Sequence, residues 1–98
     1  MTIVNFDSIA SQMPAAWKST VVAQIGNARV KVLRMDEMAY EEESHDYNEG
    51  LFVVSGQMKL EVLGKMICVE AGQMYLAEAG TPHAVLAGSH GTLVIIDV

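Results

Sequence analysis

Two histidines and two carboxylates in this chain are spaced as a metal site needs them. Glu43, His45 and Glu49 lie in one short stretch, and His83 follows far downstream. If the stretch from Glu43 begins as a strand, Glu43 and His45 point to one face, because successive side chains alternate. Glu49 then enters the next strand from the following corner, sharing a face with Leu51 and Val53. His83 shares a face of a later strand with Val85. Imidazole nitrogen with carboxylate oxygen is an ordinary donor set for a divalent transition metal. Donors on neighbouring strands of a rigid barrel converge without any loop having to order. Tyr47, within the same stretch, offers a phenolic proton donor beside such a site; Tyr40 and Tyr75 are the other phenols.

The elements that would carry these groups are short strands. From Asp7 to Ser19, Ile9, Ala10, Met13, Ala16 and Trp17 recur at roughly helical spacing, interrupted by Pro14. That predicts a helical turn or two and no long helix. The period then changes. Val21 to Ile25 is a strand candidate, followed by a Gly26-Asn27 turn. Ala28 to Arg34 alternates apolar and basic residues, the mark of a half-buried strand. Leu51 to Val54 is an apolar run, and Ser55-Gly56 reads as a turn. Met58, Leu60 and Val62 share one face of the next strand, and Met58 and Leu60 are candidates to line a barrel. Leu63-Gly64-Lys65 predicts a tight hairpin, with Met66 to Val69 returning. Met74 to Ala77, His83 to Ala87 and Thr92 to Val98 complete the series. Eight or so short strands, with turns about every 8–12 residues, predict a sandwich or closed barrel. No helical pattern alternates with them, which disfavours a parallel α/β sheet. The expectation is one domain over residues 1–98: an arm with a short helix at 1–19 and a β-barrel at 20–98.

The chain resembles the cupin family. That family carries two motifs, G-x5-H-x-H-x3/4-E-x6-G and G-x5-P-x-G-x2-H-x3-N. Glu49 followed by six residues and Gly56 matches the end of the first. His45 takes the place of its second histidine, and Glu43 stands where the first would be. In the second motif Gly72, Gly80 and His83 fall on the pattern. Glu37, Glu43, Glu78 and Ala87 replace the opening glycine, first histidine, proline and final asparagine. The likeness runs from about Val21 to the C-terminus. It implies an all-β fold, the cupin double-stranded β-helix or jelly-roll barrel, here with a short N-terminal helical segment. It also implies frequent dimerisation and a bound metal such as iron, manganese, nickel, zinc or copper. Family activities span dioxygenases, isomerases, lyases and hydrolases, and some members only bind ligands, so the resemblance fixes fold better than function.

On this reading His45, Glu49 and His83 hold the metal. Glu43 is open between fourth ligand, general base beside the metal, and part of an exposed acidic run. That run, from Met35 to Met58, contains no Lys or Arg; Glu41 and Glu42 read as its solvated face. His90, between Gly88-Ser89 and Gly91, reads as an exposed turn histidine, and Glu78 as a turn cap. Exchanging an imidazole for Glu43 makes the donor set more anionic and favours harder metals. The one cysteine, Cys68, excludes an internal disulfide and a Cys-based zinc site, and its apolar surroundings predict a buried inert thiol.

Composition narrows the partners. The formal net charge is −6, with no basic stripe, so nucleic acid is an unfavourable partner. The first residues lack the basic and apolar segments of a signal peptide, and no run reaches about eighteen consecutive apolar residues. Those features predict a cytoplasmic protein with no membrane partner. Hydrophobic residues make up 51% and charged residues 18%, which predicts apolar surface covered by a second copy in a homodimer. Two functions remain. The first is a metal-dependent enzyme (dioxygenase, isomerase or lyase type, with Fe, Mn, Ni or Zn) acting on a small organic molecule, with Glu43 and Tyr47 as candidate catalytic groups. The alternative is a non-catalytic module that binds a small ligand or senses it.

Overall fold

The computed structural model describes residues 2–39 and 42–98. Tyr40 and Glu41, which the sequence reading placed as a candidate phenol and a solvated acid, lie outside the described residues. One helix, α1 (Phe6–Ser11), precedes seven strands: β1 (Thr20–Ile25), β2 (Ala28–Asp36), β3 (Glu49–Val62), β4 (Lys65–Glu70), β5 (Met74–Ala77), β6 (His83–Val85) and β7 (His90–Asp97). The strands form an antiparallel sheet ordered β1-β2-β7-β3-β4, with β5 and β6 also pairing with β3. This is the all-β architecture expected. No described helix is long and apolar enough to cross a membrane.

The long strand β3 organises the barrel. Its first half, from Glu49 to Phe52, lies between β5 and β7. Its second half lies between β4 and β6, where Leu60 faces both Ile67 and Val85. Between the halves the register slips at Val53/Ser55. The expected turn at Ser55-Gly56 is therefore corrected: Ser55 pairs with Thr92 and Gly56 with Gly91, so the strand continues through a bulge. Gly56 (φ 77°) and Gly91 (φ 102°) both take the left-handed backbone, and a Cβ on either would collide with the opposite strand's backbone. Glycine marks a close approach of two strands here, where the sequence suggested a reversal.

Two apolar clusters flank the sheet. Inside the barrel, Leu33, Met35, Leu51, Val53, Met58, Leu60, Val62, Val69, Ala77 and Leu93 pack together. On the outer face, α1 lays Phe6, Ile9 and Ala10 against Val32 and Val94, with Val30, Phe52 and Val54 around them. Asn5 caps this helix, its Oδ1 accepting from the Ser8 amide at 3.1 Å. The helix ends before Pro14, a turn or two long as the interrupted spacing predicts.

The outer cluster shows how β2 is used. Its expected alternation stands, with one face toward α1 and the other toward the barrel interior. Val30 and Val32 face α1, while Lys31 and Leu33 line the interior pocket. Further along, β4 turns Cys68 outward and Val69 inward. Cys68 is exposed, against the buried thiol expected, because the apolar run straddles both faces of an edge strand. His90 opens β7 and does not sit in a turn, though it is exposed as expected.

Candidate metal centre

Three segments bring the candidate donors together at one end of the barrel. Glu49 opens β3, paired with Ala77 of β5, and is buried. His45 stands in the corner that precedes β3. His83 opens β6 after the turn at Gly80, where the Glu78 carbonyl accepts from the Thr81 amide at 3.1 Å. The expected strand at Glu43 shrinks to one bridge between Glu43 and His83. In that bridge each amide donates to the other's carbonyl, at 2.8 and 2.9 Å. Directly opposed residues turn their side chains to one face, so the bridge aims Glu43 and His83 the same way. Two further bonds tie the corner to the β5–β6 turn. The Gly80 amide donates to the His45 carbonyl at 2.7 Å, and the Ala79 amide to Asn48 Oδ1 at 2.8 Å.

The resulting geometry is compact. One donor atom from each of Glu43, His45 and His83 lies within 4.8 Å of the others. His45 Nε2 is 3.5 Å from Glu43 Oε2 and 3.8 Å from Glu49 Oε2, and His83 Nε2 is 3.7 Å from Glu49 Oε1. These separations exceed hydrogen-bond lengths. They are slightly wider than the ~3 Å edge of an octahedron with metal–ligand bonds of about 2.1 Å. His45 Nε2 and His83 Nδ1 are buried and make no hydrogen bond among the described residues. A buried imidazole nitrogen without a partner is costly, and a cation between the carboxylates would satisfy the one on His45. The donor set thus suits a divalent transition metal.

The electrostatics agree. Burial pushes the Glu49 carboxyl above its ordinary value, the imidazoles of His45 and His83 pull it back, and Glu43 and Asp97 push it up further. Glu43 differs: its side chain is 46% exposed, at the mouth. The Tyr47 ring stacks on His45, with centroids 4.9 Å apart and planes 14° apart. His90 stands away from the cluster, its Nδ1 3.5 Å from Glu37 Oε1.

The donors open onto a cavity of about 240 Å³, whose wall includes Trp17, Leu51, Met58, Val85 and Leu93. Met58 lines it as expected; Leu60 is buried in the core beyond it. Lys31 and Asp97 also line it, and sequence reasoning missed both. Asp97 carried a signal, an acid within the apolar run Ile95, Ile96 and Val98. Trp17 was read only as part of a helical pattern; it lies beyond the helix with a left-handed backbone (φ 63°), and its amide donates to the Arg34 carbonyl at 2.8 Å.

The Cupin domain family model matches residues 31–98. A cupin-2 domain containing protein of Shewanella frigidimarina superposes with a TM-score of 0.88 at 24% identity, over 97% of this chain and 93% of that one. A Neisseria meningitidis protein gives 0.85 at 16% identity, over 99% of both chains. The KdgF protein of a Halomonas species gives 0.66 at 21% identity, over 80% of this chain and 73% of its own. Among curated proteins, none matches the sequence.

Proposed function

This chain belongs to the Cupin domain family, and from that premise we propose that it holds a divalent transition metal (Fe, Mn, Ni or Zn) through His45, Glu49 and His83. Glu43 serves as fourth ligand or as a base at the mouth, and the cavity takes a small organic molecule. One observation carries this reading: donor atoms of Glu43, His45 and His83 lie within 4.8 Å of one another, and the buried His45 Nε2 has no hydrogen-bond partner among the described residues. When bound, such a metal supplies Lewis-acid polarisation of a substrate oxygen, or a place for dioxygen. The chain's own groups do the rest. The apolar wall of Leu51, Met58, Val85 and Leu93 excludes water from the bound molecule. Glu43, half exposed, stands within reach of solvent at the mouth, and Tyr47 holds the His45 ring in place by stacking.

Metal analysis after purification, and after incubation with Fe(II), Mn(II), Ni(II) and Zn(II), tests the reading. One metal per chain is expected, with affinity reduced by His83→Ala. A protein that stays metal-free in all four solutions would sink it. The enzyme reading adds consumption of a small substrate by the loaded protein. A non-catalytic binding module is the alternative, favoured by the exposure of Glu43; it gives ligand-dependent thermal stabilisation without turnover.

A homodimer belongs to the same proposal. Met74, Leu76, Ile96 and Val98 remain exposed on β5, β7 and the C-terminus, around Gly50 on the outer face of the sheet. Sedimentation should give a dimer, and Ile96→Lys should give a monomer.

A further inference from the structure

Trp17 reaches the pocket from the far side of the sheet. The helix packs Ile9 and Ala10 on the outer face of β2, against Val32, whereas Trp17 packs with the cluster inside the barrel. The chain between them therefore crosses the edge of β2. β1 pairs with that edge only as far as Val32. Beyond it, the Trp17 amide donates to the Arg34 carbonyl at 2.8 Å, and Arg34 Nη2 donates to the Met13 carbonyl at 3.3 Å. One residue of β2 thus grips both ends of the crossing. Trp17 stands there in left-handed backbone (φ 63°), a conformation costly for a bulky side chain and kept only where the surroundings hold it. Leu63 shares that conformation, but in the hairpin with Gly64, where the turn requires it. Trp17 turns no hairpin; its side chain lines the pocket. The family match begins at residue 31, so this wall comes from a part of the chain outside it.

The pocket also changes character along the strands. Arg29 pairs with Asp97, Lys31 with Ile95, and Leu33 with Leu93. On the other side of β7, Leu51 pairs with Ile95 and Val53 with Leu93, and the pairing of Gly50 with Ile96 sets Glu49 beside Asp97. Successive inward rungs thus run from charged, to mixed, to wholly apolar. Trp17 is held beside Arg34, next to the apolar rung. At the charged end Glu43, Glu49 and Asp97 outnumber Lys31 and Arg29, and Lys31 Nζ lies 2.6 Å from Asp97 Oδ2. Without a metal the pocket has no positive charge left over for an anion. From this we infer that its ligand is a short amphiphile, with a neutral polar head at the donors and an apolar body toward Leu33 and Leu93, and that Trp17 sets the specificity by limiting the size of that body. Arg34 is a positioning residue that holds the crossing in place. The size fits: about 240 Å³ is below the ~300–1,000 Å³ of drug-sized sites. The inference deepens the proposed function and rests on it for the cavity as the place of binding.

The probes are n-alkanols from propanol to octanol, titrated into metal-stripped and metal-loaded protein and followed by ligand-observed NMR, with metal content measured on the same samples. Burying each added methylene should tighten binding about fourfold, until the body meets Trp17 and affinity stops rising. Trp17→Ala should move that limit to a longer alkanol while weakening propanol, and Trp17→Phe should move it less, in the same direction. Arg34→Met keeps the carbonyl that holds Trp17 but loses the bond to Met13, and should shift the limit partway; an unchanged limit overturns the role of Arg34. In metal-stripped protein butyrate should bind at least about tenfold more weakly than butanol, since the anion gains no partner for its lost water. Butyrate binding as tightly as butanol overturns the neutral head. A merely structural Trp17 would weaken every alkanol alike and leave the limit where it stands. That result, a parent protein with no limit, or failure of every alkanol to bind overturns the inference. If Trp17→Ala does not fold, Trp17→Phe decides: a longer limit supports the inference, an unchanged one overturns it. A chain that loads metal but shows no limit loses the Trp17 assignment alone. One that holds no metal, yet whose limit moves with Trp17, keeps that assignment and loses the metal reading.

Discussion

The two halves of β3 put the same backbone to opposite uses. Beyond the bulge, Met58, Leu60 and Val62 turn inward among apolar neighbours, and Met58 and Leu60 are fully buried. Before the bulge, the inward series begins at Glu49, a buried carboxyl between two imidazoles and beside Asp97. One half gains stability from every methylene it hides. The other gives some up to hold charge where water is scarce. Substitutions in the two halves should therefore differ in sign as well as size.

Leu60→Ala in the packed half should have the largest effect, a loss of about 2–5 kcal/mol, read from denaturant midpoints. Glu49→Gln should do the reverse in the metal-free protein. The fold raises the Glu49 carboxyl, so between its ordinary value and its raised one the folded chain binds more protons than the unfolded chain. Stability therefore falls as pH rises through that window and levels off above it. Gln removes the slope. Its melting temperature should exceed that of the metal-free parent at neutral pH, converge with it in acid, and gain less than the parent on adding metal. A parent that becomes more stable with rising pH across the window would break the contrast. Asn48→Ala should have the smallest effect. It deletes the acceptor for the Ala79 amide, costing about 1 kcal/mol, and loosens the His45 corner, so metal affinity should fall further than stability suggests.

Much of this contrast was legible in the residues. Glu49 to Gly56, with Gly72, Gly80 and His83, set out the barrel and its donor end, because glycine at forced turns and polar groups at strand mouths leave local marks. The hairpin at Leu63-Gly64 and the strand Met74 to Ala77 were equally local, and both stand. What escaped depended on distant partners. Ser55-Gly56 looks like a reversal until Gly91 is known to lie against it. Lys31 looks solvent-facing until α1 is seen covering Val30 and Val32 from outside. Arg29 and Asp97 are 68 residues apart, and no local pattern announces that pairing. The same holds for Asn48, whose side chain reaches across to a turn 31 residues away.

The paired amides of Glu43 and His83 carry a consequence in time. Each donor residue's backbone is the other's hydrogen-bond partner, and the Gly80 amide fastens the His45 carbonyl beside them. The corner therefore opens as one unit, and its three amide hydrogens should exchange with deuterated water at a common rate. Opening of that clasp would carry Glu43, His45 and His83 apart together, so a guest held by all three loses its donors at once and not one by one.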